Sequence, residues 1–490
     1  MRKGLLIAAV IAIGTLAFGL RWRFRALPPP AAATASTAGE PQPATASPKA
    51  FIPYADALAI LETHKATLPD GLKGRDPRTL EAEWPGWIAQ HDAGIRGRLA
   101  RDDEHSVVNL WLYGTTFTTL PRATEQQLTA FPTRAQAEDL LLRRLDDLIA
   151  GLAAPGPNER LQFARDLVTR QGGDLSTEPG RDQGRLYLVK LRERVITEQA
   201  AYRRAAEAAQ RTSDPAAPAS FATLYRGRGL SSDTRLAADF ALDAALQALA
   251  SRGGLPPRSV RRAAIVGVGL DFTDRAEGYD FYPLQTIQPF ALVDSLTRLG
   301  LASSDALRVT TLDFSPRVNA HLEQARARAR AGEAYTVQLP LATEDPRHHW
   351  DPALLRYWES FGDRIGDSVT PIPPPAVAGA VRVRAVRVRP SVTLSIVPQD
   401  LDIITERLAP LDDQDRFDVI VATNILVDYD TFDQALARSN IAAMLRPGGF
   451  FVTNHAITPG PEFEPSAASV TPVYFDRQQN GDTLYCYRKR

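Results

Sequence analysis

The hydrophobic rhythm of the chain changes twice. Residues 4–20 (GLLIAAVIAIGTLAFGL) form an apolar run without a charge. As a helix this run spans about 25 Å, the lower edge of a bilayer crossing. Arg2 and Lys3 precede it, and Arg21, Trp22, Arg23, Phe24 and Arg25 follow. Basic and aromatic flanks of this kind suit an interfacial anchor, so residues 1–27 are expected to be an uncleaved single-pass membrane helix. The alternatives are a signal peptide cut near residues 31–38 and a buried helix. Residues 28–50, rich in Pro, Ala, Ser and Thr, read as an extended tether. From 51 to 254 apolar positions recur at three-to-four spacing, over 136–152, 159–169, 195–209 and 234–252, which predicts a mostly helical domain. Residues 107–120 (VVNLWLYGTTFTTL) stand apart, as a buried strand pair or a helix running into a loop.

After Leu255–Pro256–Pro257 the pattern becomes short β-branched runs alternating with helices, the signature of a parallel sheet with helical crossovers. Strands are predicted at 262–268, 308–312, 392–397, 417–422 and 450–454. A final pair, 472–475 and 483–487, flanks an Asn480–Gly481 hairpin signal. Helices are expected at 285–299, 318–331, 403–408 and 432–445. The predicted fold is α/β: a Rossmann-like, mostly parallel sheet with a terminal antiparallel hairpin over 255–490. The helical domain and the membrane helix precede it. An insertion at about 335–391 exceeds what one crossover needs and is expected to lid the cleft at the strand tips. Within it, VRVRAVRVRP (381–390) alternates valine and arginine, with a change of phase at Ala385–Val386. That predicts a strand with one basic face and a bulge or turn at the change. Arg382, Arg384, Arg387 and Arg389 are either a surface for an anionic substrate or lipid headgroups, or the charge that protects an edge strand.

Charge and composition narrow the partners. The 490 residues carry 57 basic and 57 acidic side chains, so a general nucleic-acid binder, which shows a basic excess, is not expected. Cys486 is the only cysteine, which excludes an intrachain disulfide and a thiolate zinc cluster. His348 and His349 are adjacent and cannot both face one metal from a regular element, so no metal site is expected. His64, His91 and His105 are scattered and read as core or surface residues. Trp84–Pro85–Gly86–Trp87 reads as packing.

Candidate chemistry gathers where strands end. Gly267 and Gly269 close the first strand of the sheet, and closely spaced glycines there let a backbone approach a ligand and turn sharply. A third glycine is missing, so the dinucleotide fingerprint fails. Asp313 ends the second strand, where it can accept from ribose hydroxyls or cap the next helix. Asp400 follows the third strand, where it can accept from an exocyclic amine or cap residues 403–408. The fourth strand, FDVIVA, runs into Thr423–Asp430, and LRPGG (445–449) leads into the fifth.

In this order, VGVG, Asp313, FDVIVATNIL, LRPGGFFVTN and the closing hairpin resemble a class I S-adenosylmethionine-dependent methyltransferase over about residues 260–490. The resemblance implies S-adenosylmethionine as cofactor and a methyl acceptor whose identity the chain leaves open. It implies that Gly267 and Gly269 hold the cofactor's amino-acid end, Asp313 its ribose and Asp400 or its neighbour its adenine. Asn424 to Tyr429 would face the transferred methyl, with Tyr429 and His455 as candidate bases. The family usually carries an acid two residues before the first loop glycine, and here that position is Ile265. Asp271 stands where a later glycine often sits and, with the nearby Asp274, is a candidate compensating residue. No Asn-Pro-Pro-Tyr follows the fourth strand, which disfavours a DNA amino-methyltransferase. A cytoplasmic cofactor implies a main body on the cytoplasmic side of the membrane. Two other readings stand beside this one: a tethered binding module that kept the fold and lost catalysis, and a nicotinamide-dependent oxidoreductase.

Overall fold

A computed structural model describes residues 48–211, 236–274, 278–343, 349–464 and 469–490. The predicted membrane helix, most of the tether and His348 lie outside the described residues. Among the described residues no helix is long and apolar enough to cross a membrane. The twelve strands of the described residues are β1 (Lys49–Phe51), β2 (Arg262–Val266), β3 (Arg308–Leu312), β4 (Tyr335–Ala342), β5 (Gly366–Val369), β6 (Val381–Val388), β7 (Ile396–Gln399), β8 (Glu406–Leu408), β9 (Phe417–Ala422), β10 (Leu445–Thr453), β11 (Ser469–Tyr474) and β12 (Gly481–Arg488).

The main sheet has seven strands in the order β11-β12-β10-β9-β2-β3-β7. β7, β3, β2, β9 and β10 run parallel, and β12 runs antiparallel to both of its neighbours. This is the mostly parallel α/β sheet with a closing hairpin that the pattern predicts. β2 and β9 are apolar almost throughout because both faces of a parallel sheet are covered. Alternate residues then enter different cores. Ala263, Ile265, Val419 and Val421 join one, while Ala264, Val266, Ile420 and Ala422 join the other.

The helical region divides between two tasks. Helices α1 (Tyr54–Thr63) and α2 (Pro77–Gly97) pack on the second face of the sheet through Ile60, Leu61, Trp84, Ile88 and Ile95. Pro85 lies inside α2, and the Trp84 indole donates to Ile52 O at 2.8 Å, a packing role as expected. Helices α3 (Leu99–Tyr113), α5 (Arg134–Ala153), α6 (Glu159–Arg170) and α7 (Glu178–Arg211) build a separate apolar cluster, joined by the short α4 (Glu125–Thr129). Residues 107–120 are therefore the end of α3 and the loop after it. Further on, α8 (Leu236–Ser251), α9 (Gln288–Arg298), α10 (Pro316–Arg330), α11 (Pro352–Ser360), α12 (Pro390–Ser395) and α13 (Thr431–Met444) complete the helices. α13 covers the same face as α1 and α2, and α8 and α9 the other.

Three local expectations are corrected. The third strand is displaced, because residues 390–395 form α12 and β7 begins only at Ile396. Residues 403–408 form no helix. Glu406–Leu408 is β8, paired antiparallel with β1. The insertion folds as a three-stranded antiparallel sheet, β4-β6-β5, with β6 in the middle. β6 pairs with β4 residue for residue from Val381↔Ala342 to Val388↔Tyr335, so no bulge exists and the strand is not an edge. The phase changes because the face beneath changes: Arg382 and Arg384 stack on Trp358, whereas Val386 and Val388 enter the core.

Candidate functional site

Strand order reverses beside β2, with β3 and β7 on one side and β9 and β10 on the other. In such sheets ligands bind outside the carboxyl ends of the strands at that point. Gly267 and Gly269, just past β2, adopt φ of 66° and 62°, the left-handed region that glycine tolerates. Asp313, just past β3, turns its carboxylate onto this loop. Its Oδ1 accepts from Ser315 N at 2.8 Å and its Oδ2 from Gly269 N at 3.5 Å. Burial pushes the carboxyl up to about 6 against the pull of the Ser315, Gly269 and Val268 N–H groups. Ser315, not Asp313, holds the N-cap position of α10. Gly267, Gly269, Asp313 and Tyr429 all line one hollow.

The other predicted residues stand elsewhere. Asp271 lies in a buried network: its Oδ2 accepts from the Tyr282 hydroxyl at 2.5 Å and the Gln285 amide at 3.0 Å. Burial raises its carboxyl to about 6, and it does not line the hollow. Asp400 does not line it either, and its side chain is 58% exposed. Arg96 donates to it at 2.7 Å, and Lys49 stands 3.6 Å away. Asn424 sits at the tip of β9 with φ 59°, exchanging hydrogen bonds with Asn454 at the tip of β10. His455 is half-buried, and burial lowers its pKa, which keeps the ring neutral at pH 7. Gln434 Nε2 lies 3.1 Å from His455 Nε2 and donates to Tyr429 O at 2.9 Å, so one amide joins both predicted bases. Burial holds the Tyr429 phenol well above 10, so it is a hydrogen-bond donor at neutral pH rather than a base.

The hollow is closed by residues without a signal in the local sequence. Leu99, at the start of α3, lines it, whereas no described residue of the insertion does, so among the described residues the cover comes from the helical region instead of the expected lid. On the facing side, Ile425 fills the space that Gly267 leaves: a Cβ at 267 would stand 2.3 Å from Ile425 Cδ1. Phe314 and Ser315, contiguous with Asp313, complete that wall and were within reach of the sequence pattern.

An adenosyl cofactor can be tested against this arrangement. The polar groups suit it: a left-handed glycine backbone and a carboxylate share one hollow. The space does not, because the cavity holds about 50 Å³ where small-molecule sites hold roughly 300–1,000 Å³. In this conformation the residues do not fit the cofactor. Among the described residues, no group of three or more His, Cys, Asp or Glu side chains could hold a metal ion.

The fold and hollow define a doubly wound α/β protein with a strand-tip site closed by its own helical region. No family model matches the chain, and no curated protein matches it significantly. Among solved structures it is similar to the N-methyltransferase NodS from Bradyrhizobium japonicum WM9, at TM-score 0.26 and 12% identity over 52% of this chain and 96% of that one. It is also similar to MtNAS in complex with MTA and tNA, at TM-score 0.24 and 11% identity over 75% and 94% of the two chains. Likenesses of this size carry no argument about function; the strand order and the hollow carry it.

Proposed function

We propose that the chain is a methyltransferase of the class I S-adenosylmethionine-dependent type, held at a membrane by residues 4–20 with its main body on the cytoplasmic side. The observation that carries this reading is the meeting of Gly267, Gly269 and Asp313 at the point where strand order reverses. When bound, such a cofactor supplies an electrophilic methyl group. The chain's own residues would do the rest. The glycine backbone gives close approach, Asp313 accepts from hydroxyls, and Leu401, Ile403 and Ile425 keep water out.

A second reading, a tethered binding module without catalysis, is favoured by Ile265 in place of the family's acid and by the small volume of the cavity. Calorimetry with S-adenosylmethionine and S-adenosylhomocysteine separates the readings. The methyltransferase reading expects micromolar binding of both, weakened about 10-fold or more by Asp313→Ala, the loss of one hydrogen bond to a charged group. Binding of the product with no turnover of bound S-adenosylmethionine against any acceptor supports the module. No binding of either at millimolar concentration removes both.

A further inference from the structure

The junction of α2 and α3 is built like a fastening. Arg98 is at once the C-cap of α2 and the N-cap of α3, so no slack chain lies between the helices. The three nitrogens of the Arg96 guanidinium are all engaged: Nε donates to Asp92 at 2.8 Å, Nη1 to Asp400 at 2.7 Å and Nη2 to Glu406 at 2.7 Å. The same guanidinium lies 5.6 Å over the ring of Phe314, a wall of the hollow. Asp400 and Glu406 follow β7 and flank Leu401 and Ile403, the residues that form the lip on that side. Arg98 reaches the other lip, beyond β9, donating to Asp428 O at 3.2 Å with its guanidinium 5.2 Å over Tyr429. Leu99, the residue after Arg98, lines the hollow itself.

We infer that the Arg96–Leu99 junction is a strap that ties both lips of the strand-tip hollow together and must release before a cofactor-sized ligand enters. With the strap in place the remaining 50 Å³ holds about four waters. Charge-assisted bonds to two different strands also make closure specific, because neither lip alone satisfies both arginines. The inference rests on the proposed function only for what enters, not for the closure itself.

The test reads closure without any ligand. Leu401 is buried in the wall of the hollow. In the full chain, Leu401→Cys places a thiol there, while the native Cys486, buried in β12, reports global unfolding. Alkylation of each thiol is followed by peptide mass spectrometry, with and without Arg96→Ala and Arg98→Ala together. The strap predicts slow labelling of the introduced thiol in the parent. Labelling at least about tenfold faster is expected in the arginine variant, the factor for losing one bond to a charged group, with Cys486 unchanged. Equal rates with and without the arginines overturn the strap, as do a parent labelled as fast as the urea-unfolded chain and acceleration at both thiols. S-adenosylhomocysteine calorimetry on the same variants is decided separately. Faster labelling without binding keeps the strap and removes the cofactor reading, and equal labelling with binding does the reverse.

Discussion

Asp402 tests the electrostatics of the closed hollow most directly. It lies between Leu401 and Ile403, both in the wall, and is fully buried. Its Oδ1 accepts from Ile404 N at 3.0 Å, and its buried Oδ2 has no hydrogen-bond partner. Burial pushes this carboxyl from 3.8 up to about 7, with the neighbouring acids Asp92 and Glu406 adding to the rise and Arg96 opposing it. A folded pKa above the unfolded one means that the contribution to stability is full below about pH 4 and is lost as pH rises through about 7. At 1.36 kcal/mol per pH unit, the rise from 3.8 to about 7 is worth about 4 kcal/mol above pH 7. Asp402→Asn keeps an acceptor for Ile404 and removes the charge. The variant should match the wild type at pH 4 and exceed it at pH 8. For a unit of this size that is a Tm gain of about 1 °C per kcal/mol, thus about 4 °C. Thermal melts of both proteins from pH 4 to pH 8 check the prediction. A gap independent of pH, or a variant less stable at pH 8, refutes the assignment of an isolated buried carboxyl.

The remaining expectations concern the loop and its supports. Gly267→Ala should cost about 1–2 kcal/mol for the positive φ and about 1–3 kcal/mol for overlap with Ile425. Ile425→Val removes the clashing Cδ1, so in that background it should raise Tm, whereas in the wild type it should lower it; melts of the four proteins decide. Arg160 donates to the carbonyls of Asp271 and Tyr282 at 2.6 Å each and to that of Phe272, so Arg160→Met strands three buried acceptors. A loss of at least about 3 kcal/mol is expected, and an unchanged Tm would exclude a supporting role. Because an ionised Asp313 accepts charge-assisted bonds with both oxygens and protonation removes the charge and turns one oxygen into a donor, affinity for S-adenosylhomocysteine should fall as pH drops below about 6. Asp313→Asn should flatten that dependence in calorimetry across pH 5 to 8.

Legibility in the sequence tracks the range of the interactions. β9 occupies the predicted 417–422, because burial on both faces leaves an apolar run that no neighbour needs to explain. The third strand is displaced: 392–397 reads as β-branched, but Pro390 at the first helical position starts α12, and β7 begins only at Ile396. Residues 406–408 carry no strand signal of their own and become β8 by pairing with β1, some 357 residues earlier in the chain. The same division holds at the site. Gly267, Gly269 and Asp313 announce themselves by position at strand ends. Arg96, Arg98 and Leu99 sit in an amphipathic helical stretch where nothing local sets them apart. Asp400 reads as a ligand contact until Arg96 is placed beside it.

The helical region acts on the hollow by a second route, through the long segment after the glycine loop. Arg160 holds the carbonyls of residues 271, 272 and 282, and Arg122 those of Asp274 and Gly278. The Asp280 carboxylate accepts from the backbone and hydroxyls of Thr115 and Thr116 at 2.6–2.9 Å. Phe272 inserts into the core of α3, α5, α6 and α7. A segment that leaves an ordinary turn behind would have many exposed carbonyls and little to fix it. Here these carbonyls are taken by buried guanidinium groups from the helices, which removes the cost of burying them. Shifting α3 to withdraw Leu99 therefore pulls on the same cluster that anchors Phe272 and, four residues upstream, Val268 of the glycine loop. A variant that releases the proposed strap is therefore expected to loosen the segment around Phe272 as well, because α3 carries Leu99 and part of the core that holds Phe272.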